Sequence, residues 1–243
     1  QTLSRKFERQ TEYAQGNSID EYSPKTSMSW GPKITDLPND ATYGGNVANA
    51  YTKADGLHQG QYYNPKYAAA GLSGWTTPQT YDNVGDFFKT GFTQNATFNI
   101  SQRRDNVSYS FSLSDTYQNG IVPSTGMTRT GARGAVDWQI NKEWKTGFSA
   151  NYSSVKITSA PGANEGITNI VYSAPAEYNL KGTPYNVPGD PTKQVLWRSG
   201  WDNPYWWADN NEYLQHTNRV FGNAYVEYRP KINWSDAYDL LFR

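Results

Sequence analysis

Between Val107 and Ser114 the chain reads Val-Ser-Tyr-Ser-Phe-Ser-Leu-Ser, so Val107, Tyr109, Phe111 and Leu113 fall on one side of an extended chain and four serines on the other. A hydrophobic period of two predicts a strand with one apolar and one wet face. The neighbouring segments repeat it. Phe92, Ala96, Phe98 and Ile100 alternate with Thr93, Asn95, Thr97 and Asn99. Ala132, Val136, Trp138 and Ile140 alternate with Arg129, Arg133, Asp137 and Gln139, and Trp144, Phe148, Ala150 and Tyr152 with Lys145, Ser149, Asn151 and Ser153. Val220, Ala224, Val226 and Tyr228 stand opposite Asn223 and Glu227. The pattern predicts strands at about 92–101, 107–117, 128–140, 144–154 and 219–229, with a further one at 237–243.

The connections are of two kinds. The 102–106 and 141–143 turns are tight and 230–236 is short, whereas about 10–85 and 155–216 are long excursions rich in Gly, Pro, Asn and Tyr. Structureless stretches above ~15 residues argue against a compact soluble domain. Short turns at one end of the strands and long loops at the other are the pattern of an outer-membrane barrel, the long loops being extracellular. A soluble β-sandwich also alternates, but its strands average about five or six residues, and several runs here are longer. The expected class is therefore all-β, a transmembrane antiparallel β-barrel, with residues 1–243 forming part of one barrel domain. Six strands do not close a transport-sized barrel, which takes about 22, so the chain is expected to be a fragment. Phe111, Leu113, Phe148 and Val226 are expected to face lipid, and Arg129, Arg133, Asp137, Asn151 and Glu227 a wet lumen.

Composition sharpens this. Aromatic residues make up 15% of the chain, with nineteen Tyr and nine Trp beside two Met. Such amphipathic rings suit membrane interfaces or sugar-stacking surfaces, and composition does not separate the two. Tyr109, Trp138, Trp144 and Tyr228 lie near the short turns, and Tyr117 and Tyr152 near the long loops, as two interfacial girdles would. Basic and acidic residues balance at 22 each, which gives no electrostatic footprint for nucleic acid. There is no Cys, hence no disulfide framework or thiolate metal site. No apolar run approaches the ~18 residues of a membrane helix.

Candidate chemistry is sparse. His58 and His216 have no carboxylate at metal-binding spacing, and Asp202, Asp209 and Glu212 lack the spacing of a calcium loop. Nucleophile-elbow, P-loop and zinc-helix patterns are absent. Neither an enzyme site nor a cofactor is expected. The densest feature is Trp197-Arg198-Ser199-Gly200-Trp201-Asp202-Asn203-Pro204-Tyr205-Trp206-Trp207 in the longest excursion. Trp197, Trp201, Tyr205, Trp206 and Trp207 are candidate substrate-binding rings, since ring faces stack on sugars and extended peptides. Alternatively they fold the loop onto itself, the reading favoured for most of them.

Several segments, taken in order, resemble one family. They are Phe7 to Gly16 with Glu12-Tyr13-Ala14-Gln15-Gly16, Ser29-Trp30-Gly31-Pro32-Lys33, Phe87-Phe88-Lys89-Thr90-Gly91 with Asn95, Tyr117-Gln118-Asn119-Gly120-Ile121-Val122-Pro123, Trp201-Asp202-Asn203-Pro204-Tyr205, and Arg219-Val220-Phe221-Gly222-Asn223. The chain resembles the SusC/RagA-type TonB-dependent transporters of Bacteroidetes. Ala14 departs from the usual Gly, and Gln102 to Asn106 from a Gly-rich turn. The resemblance implies active import of oligosaccharides or oligopeptides across the bacterial outer membrane. It also implies a plug domain outside this chain, a TonB–ExbB–ExbD motor and a SusD-like surface lipoprotein as lid. Asn46–Tyr81 matches no motif and is a candidate for the protein's own specificity. The rivals are a secreted carbohydrate-binding β-sandwich and a surface glycosidase built on Asp202, Asp209 and Glu212.

Overall fold

A computed structural model describes residues 9–160 and 166–230. Phe7 and the strand expected at 237–243 lie outside the described residues. The chain forms two compact units, one of residues 90–159 with the stretch from 213 onward, the other of the stretch up to 89 with 160–212.

Among the described residues the first unit is one five-stranded sheet, β1 (Phe92–Arg104), β2 (Val107–Asn119), β3 (Gly126–Gln139), β4 (Trp144–Ser159) and β5 (Tyr213–Tyr228). All neighbours are antiparallel, in the order β1-β2-β3-β4-β5. The class is all-β, and a meander of strands 13 to 16 residues long is consistent with a segment of a barrel wall. Most strands run past their expected ends, β4 to Ser159 and β5 back to Tyr213. At those ends ladder hydrogen bonding continues while the alternation fades, so periodicity undershoots. The β1–β2 hairpin closes through Asp105 at φ +50°, a left-handed conformation that Asp tolerates without Gly. The β3–β4 turn is an Asx turn, in which Asn141 Oδ1 accepts from the N–H groups of Glu143 (2.8 Å) and Trp144 (2.9 Å).

Directly paired residues of an antiparallel sheet share a face, so the register sorts every side chain. One rung runs Phe98–Leu113–Ala132–Tyr152–Val220 and another Gln102–Tyr109–Val136–Phe148–Ala224. Phe111, Leu113, Phe148 and Val226 therefore share one face, along with Trp138, Trp144 and Tyr228. Its large side chains stay open: Phe148 is 57% exposed, Val226 60% and Val220 78%. On β4 the apolar band runs from Trp144 to Tyr152, about 20 Å of height after strand tilt. Trp144 and Tyr228 stack at 4.4 Å at its short-turn edge. Past Leu113 the same face turns polar through the rung Ala96–Asp115–Thr130–Ser154–Asn218. There Asp115 accepts a 3.0 Å bond from Thr130.

The second unit folds the two long excursions, expected as loops without regular structure, around each other. Among the described residues it carries a 3-10 helix at Ile34–Asn39 and five short α-helices, α1 (Ala50–Asp55), α2 (Pro65–Ala69), α3 (Asn83–Phe87), α4 (Ile167–Tyr172) and α5 (Pro204–Asn210). Two small antiparallel pairs, Tyr62–Tyr63 with Trp75–Thr76 and Asn186–Val187 with Asp190–Gln194, join them. Its apolar centre is Ala14, Tyr22, Ile34, Leu37, Tyr62 and Ala176. Buried polar side chains also tie the unit together. Asn83 donates to the carbonyls of Pro175 and Tyr178 (both 2.9 Å) and accepts from Leu180 N–H. Tyr67 Oη accepts from Asn179 N–H at 2.9 Å while its ring stacks on Tyr178. Each removes buried donors or acceptors that irregular backbone would otherwise leave unpaired.

Candidate functional site

The sheet's second face is polar. Register places Arg129, Arg133, Asp137, Asn151 and Glu227 together on it, among Ser108, Ser110, Ser112, Ser114, Ser149, Ser153 and Asn223. Phe221 is an exposed large apolar side chain on it, at 61%. Near the short turns charges are paired. Asp137 accepts from the Tyr225 hydroxyl, whose ring lies under Lys145 Nζ at 5.6 Å. Glu227, only 6% exposed, binds Arg229. Arg129 and Arg133 stand further along the strands, in a neighbourhood of hydroxyls and amides.

The aromatic segment divides sharply. Trp197 is 1% exposed, and its carbonyl accepts from Gln15 Nε2 at 3.4 Å. With its ring inside the loop unit, it has no face open to a ligand and serves as core. Tyr205 packs edge-on against Phe87 with centroids 5.0 Å apart, a second internal contact. Trp201 carries Arg198 over its ring at 3.9 Å, and Trp206 and Trp207 are half-buried on α5. Asp202-Asn203-Pro204, which reads as turn chemistry, instead opens α5. Asn203 caps it by accepting from Tyr205 N–H at 3.0 Å, with Pro204 in the first helical position. Asp202 accepts from Gln194 (2.9 Å) and Asp209 from the Tyr185 hydroxyl (2.8 Å). No cluster of three or more metal-capable side chains exists among the described residues. His58 stacks on Trp75 at 4.0 Å, and His216 contacts Ser154 at 3.2 Å.

Sequence reading missed a buried ionisable pair. Lys66, 8% exposed, donates to Gln15 Oε1 at 2.5 Å and lies 5.1 Å from the Tyr178 ring centroid. Glu177, 1% exposed, accepts from Gln15 N–H at 2.9 Å through one oxygen, while the other has no hydrogen-bond partner among the described residues. Burial pushes the Lys66 ammonium down to about 7 and the Glu177 carboxyl up, each partly restored by the other's charge. Lys66 also lines an open cleft of about 430 Å³ with Pro24, Lys25, Pro65, Gln194 and Ser199. Only the spacing of Asn64-Pro65, a helix start, hinted at this place. It said nothing of burial.

A pH dependence follows. Between about 7 and the ordinary 10.5 the unfolded chain holds a proton on Lys66 that the folded chain has lost. Stability of the loop unit should therefore rise as pH rises through that window. Glu177, with its carboxyl raised by burial, acts in the opposite sense, lowering stability as pH rises from the ordinary carboxylate range through its raised value. Hydrogen exchange across residues 60–70, corrected for intrinsic rate, should show protection increasing from pH 7.5 to 9.5. Lys66→Met should flatten the rise. A slope that survives the substitution would assign it to another group.

No family model matches the chain. It is 30% identical over 167 residues to a TonB-dependent receptor of Formosa agariphila, a stretch that covers 65% of this chain and 16% of that protein. The chain thus spans about a sixth of the length of this relative, and what it is similar to is a part of a TonB-dependent receptor.

Proposed function

We propose that the chain is part of the barrel of a SusC/RagA-type importer of the bacterial outer membrane. In this reading it takes up oligosaccharides or oligopeptides by TonB–ExbB–ExbD-driven transport, beneath a SusD-like lipoprotein lid. The observation that carries the proposal is the two-faced sheet. An apolar band of exposed rings and aliphatic side chains backs directly onto a face of Ser, Asn, Arg and Asp across five strands. Soluble proteins rarely leave such a band in water, whereas a barrel wall turns it to lipid and keeps the polar side for the lumen. A sandwich would need a second sheet of comparable size, and among the described residues the other sheets are two-stranded pairs. Similarity to a TonB-dependent receptor supports transport over hydrolysis.

Spin labels test the placement. At Phe111, Leu113, Phe148 and Val226 they should be quenched by lipid-soluble oxygen, and at Ser112 and Asn151 by a water-soluble nickel chelate. Quenching of all six by the chelate would end the barrel reading.

In the same reading Trp201, Trp206 and Trp207 are the rings left to meet a ligand. Stacking contributes on the order of 1 kcal/mol per contact. Single Ala variants should thus weaken ligand binding a few-fold, and the triple variant much more. Unchanged affinity in the correctly assembled triple variant would leave these rings as loop architecture.

A further inference from the structure

The polar face of the sheet is not evenly charged. Near the short turns Arg103 and Lys145 share it with Asp137 and Glu227. Toward the long connections the rungs are Asn99–Ser112–Arg133–Asn151–Phe221, Thr97–Ser114–Gly131–Ser153–Arg219 and Asn95–Thr116–Arg129–Val155–Thr217. Beyond them lies Thr93–Gln118–Met127–Ile157–Gln215. This half holds three arginines and, among the described residues, no carboxylate. Arg129, Arg133 and Arg219 are all exposed, and none has an ion-pair or hydrogen-bond partner among the described residues.

Their placement is compact. Arg129 and Arg133 lie about 13 Å apart along β3, and Arg219 lies two strands across from Gly131, the residue midway between them, at about 10 Å. Gly131 and Ser153 put almost no side chain into the middle of this triangle. Three long guanidinium side chains can therefore close on one object sitting over it. Among the described residues no carboxylate on this half of the face neutralises the three charges, so each guanidinium can take an anionic partner. Guanidinium forks match carboxylate and sulfate geometry through two parallel N–H···O bonds. The surrounding Ser, Thr and Asn side chains both donate and accept, as sugar hydroxyls do.

We infer that this half of the polar face is a binding surface for an oligosaccharide bearing carboxylate or sulfate groups. The inference rests on the proposal that the polar face lines a transport lumen, and it narrows the passenger to an anionic glycan. Arg129, Arg133 and Arg219 hold the charged groups, and Ser112, Ser114, Ser153 and Asn151 the neutral hydroxyls between them. A fixed cationic patch also raises the local concentration of anionic solute, an effect that salt screens over about 8–10 Å.

The experiment uses the purified full-length transporter. Binding is measured with an oligogalacturonate, a sulfated oligosaccharide, a neutral oligosaccharide of equal length and a poly-glutamate peptide. The anionic sugars should bind more tightly than the neutral one, with the margin shrinking as salt rises. Changing Arg129, Arg133 and Arg219 together to Gln should weaken anionic binding by about tenfold or more, leave neutral binding nearly unchanged, and be partly rescued by the triple Lys variant. The ratio of the two charged sugars tells which group is preferred. If the triple Gln variant fails to assemble, Arg133→Gln alone is read for the same anionic-to-neutral ratio.

A preference that survives the Gln substitutions overturns the inference, as does equal loss for neutral sugar. Tighter binding of poly-glutamate would reassign the patch to acidic peptide. Loss of assembly in the Gln variants, reversed by Lys, together with no ligand preference in the wild type, would reassign it to an internal protein contact. Ser153→Cys separates the two layers. If it resists a membrane-impermeant thiol reagent, the lumen reading itself fails. If it labels and anionic sugar does not protect it, only the anionic passenger is lost.

Discussion

Phe148→Arg should cost about 2–4 kcal/mol of folding free energy in a bilayer, and Ser149→Arg, one residue on, only a fraction of that. Phe148 sits mid-band between Val136 and Ala224, 57% exposed on the apolar face. Ser149 pairs with Ala135 and Asn223 on the other. A period of two turns neighbouring residues to opposite faces, so a charge at one meets hydrocarbon and at the other water. The contrast is expected to repeat for Phe111→Arg against Ser112→Arg. Urea midpoints for folding into lipid vesicles, or heat-modifiable mobility of the assembled barrel, provide the measurement. Equal costs on the two faces would mean that the apolar band does not meet lipid.

The largest effect in the loop unit is expected at Trp197. Its ring is 1% exposed, so Trp197→Ala removes a large buried side chain and should cost about 3–5 kcal/mol. Its indole N–H has no hydrogen-bond partner among the described residues, so Trp197→Phe should be far milder, losing volume but no polar contact. Trp206→Ala and Trp207→Ala, on half-buried α5 positions, should lie well below Trp197→Ala. Limited proteolysis of the assembled protein across 160–212 reads the ranking. A Trp197→Ala variant as resistant as the wild type would remove this ring from the unit's core.

Much of the sheet was legible in the sequence for one physical reason. Each strand residue's face is decided by its own parity, so the Val107–Ser114 alternation needs no knowledge of partners. The register then had little freedom, because a slip of one residue would carry Phe148 and Val226 to the polar face. The strand ends were less legible. Met127, Val155 and Ile157 break the alternation, and only ladder hydrogen bonds extend β3 and β4 past it.

The loop unit follows the opposite rule. It is built from contacts between residues far apart in the chain: Gln15 with Glu177, Asn83 with Pro175 and Tyr178, and Tyr67 with Asn179. Hydrogen bonds of this kind carry no period, and Asn, Gln, Lys and Glu read locally as solvated residues. Neither the burial of Lys66 beside Glu177 nor the separation of core Trp197 from half-open Trp206 and Trp207 could be seen in composition or spacing. The clustering of Arg129, Arg133 and Arg219 lies between the two cases. Parity alone puts each arginine on the polar face, but only the pairing of β3, β4 and β5 brings Arg219 beside the other two. The sequence by itself thus determined which way each strand residue points, because that is a property of one extended chain. The tertiary structure alone decided which distant side chains meet, because a hydrogen bond or a shared charge depends on where two separate segments end up.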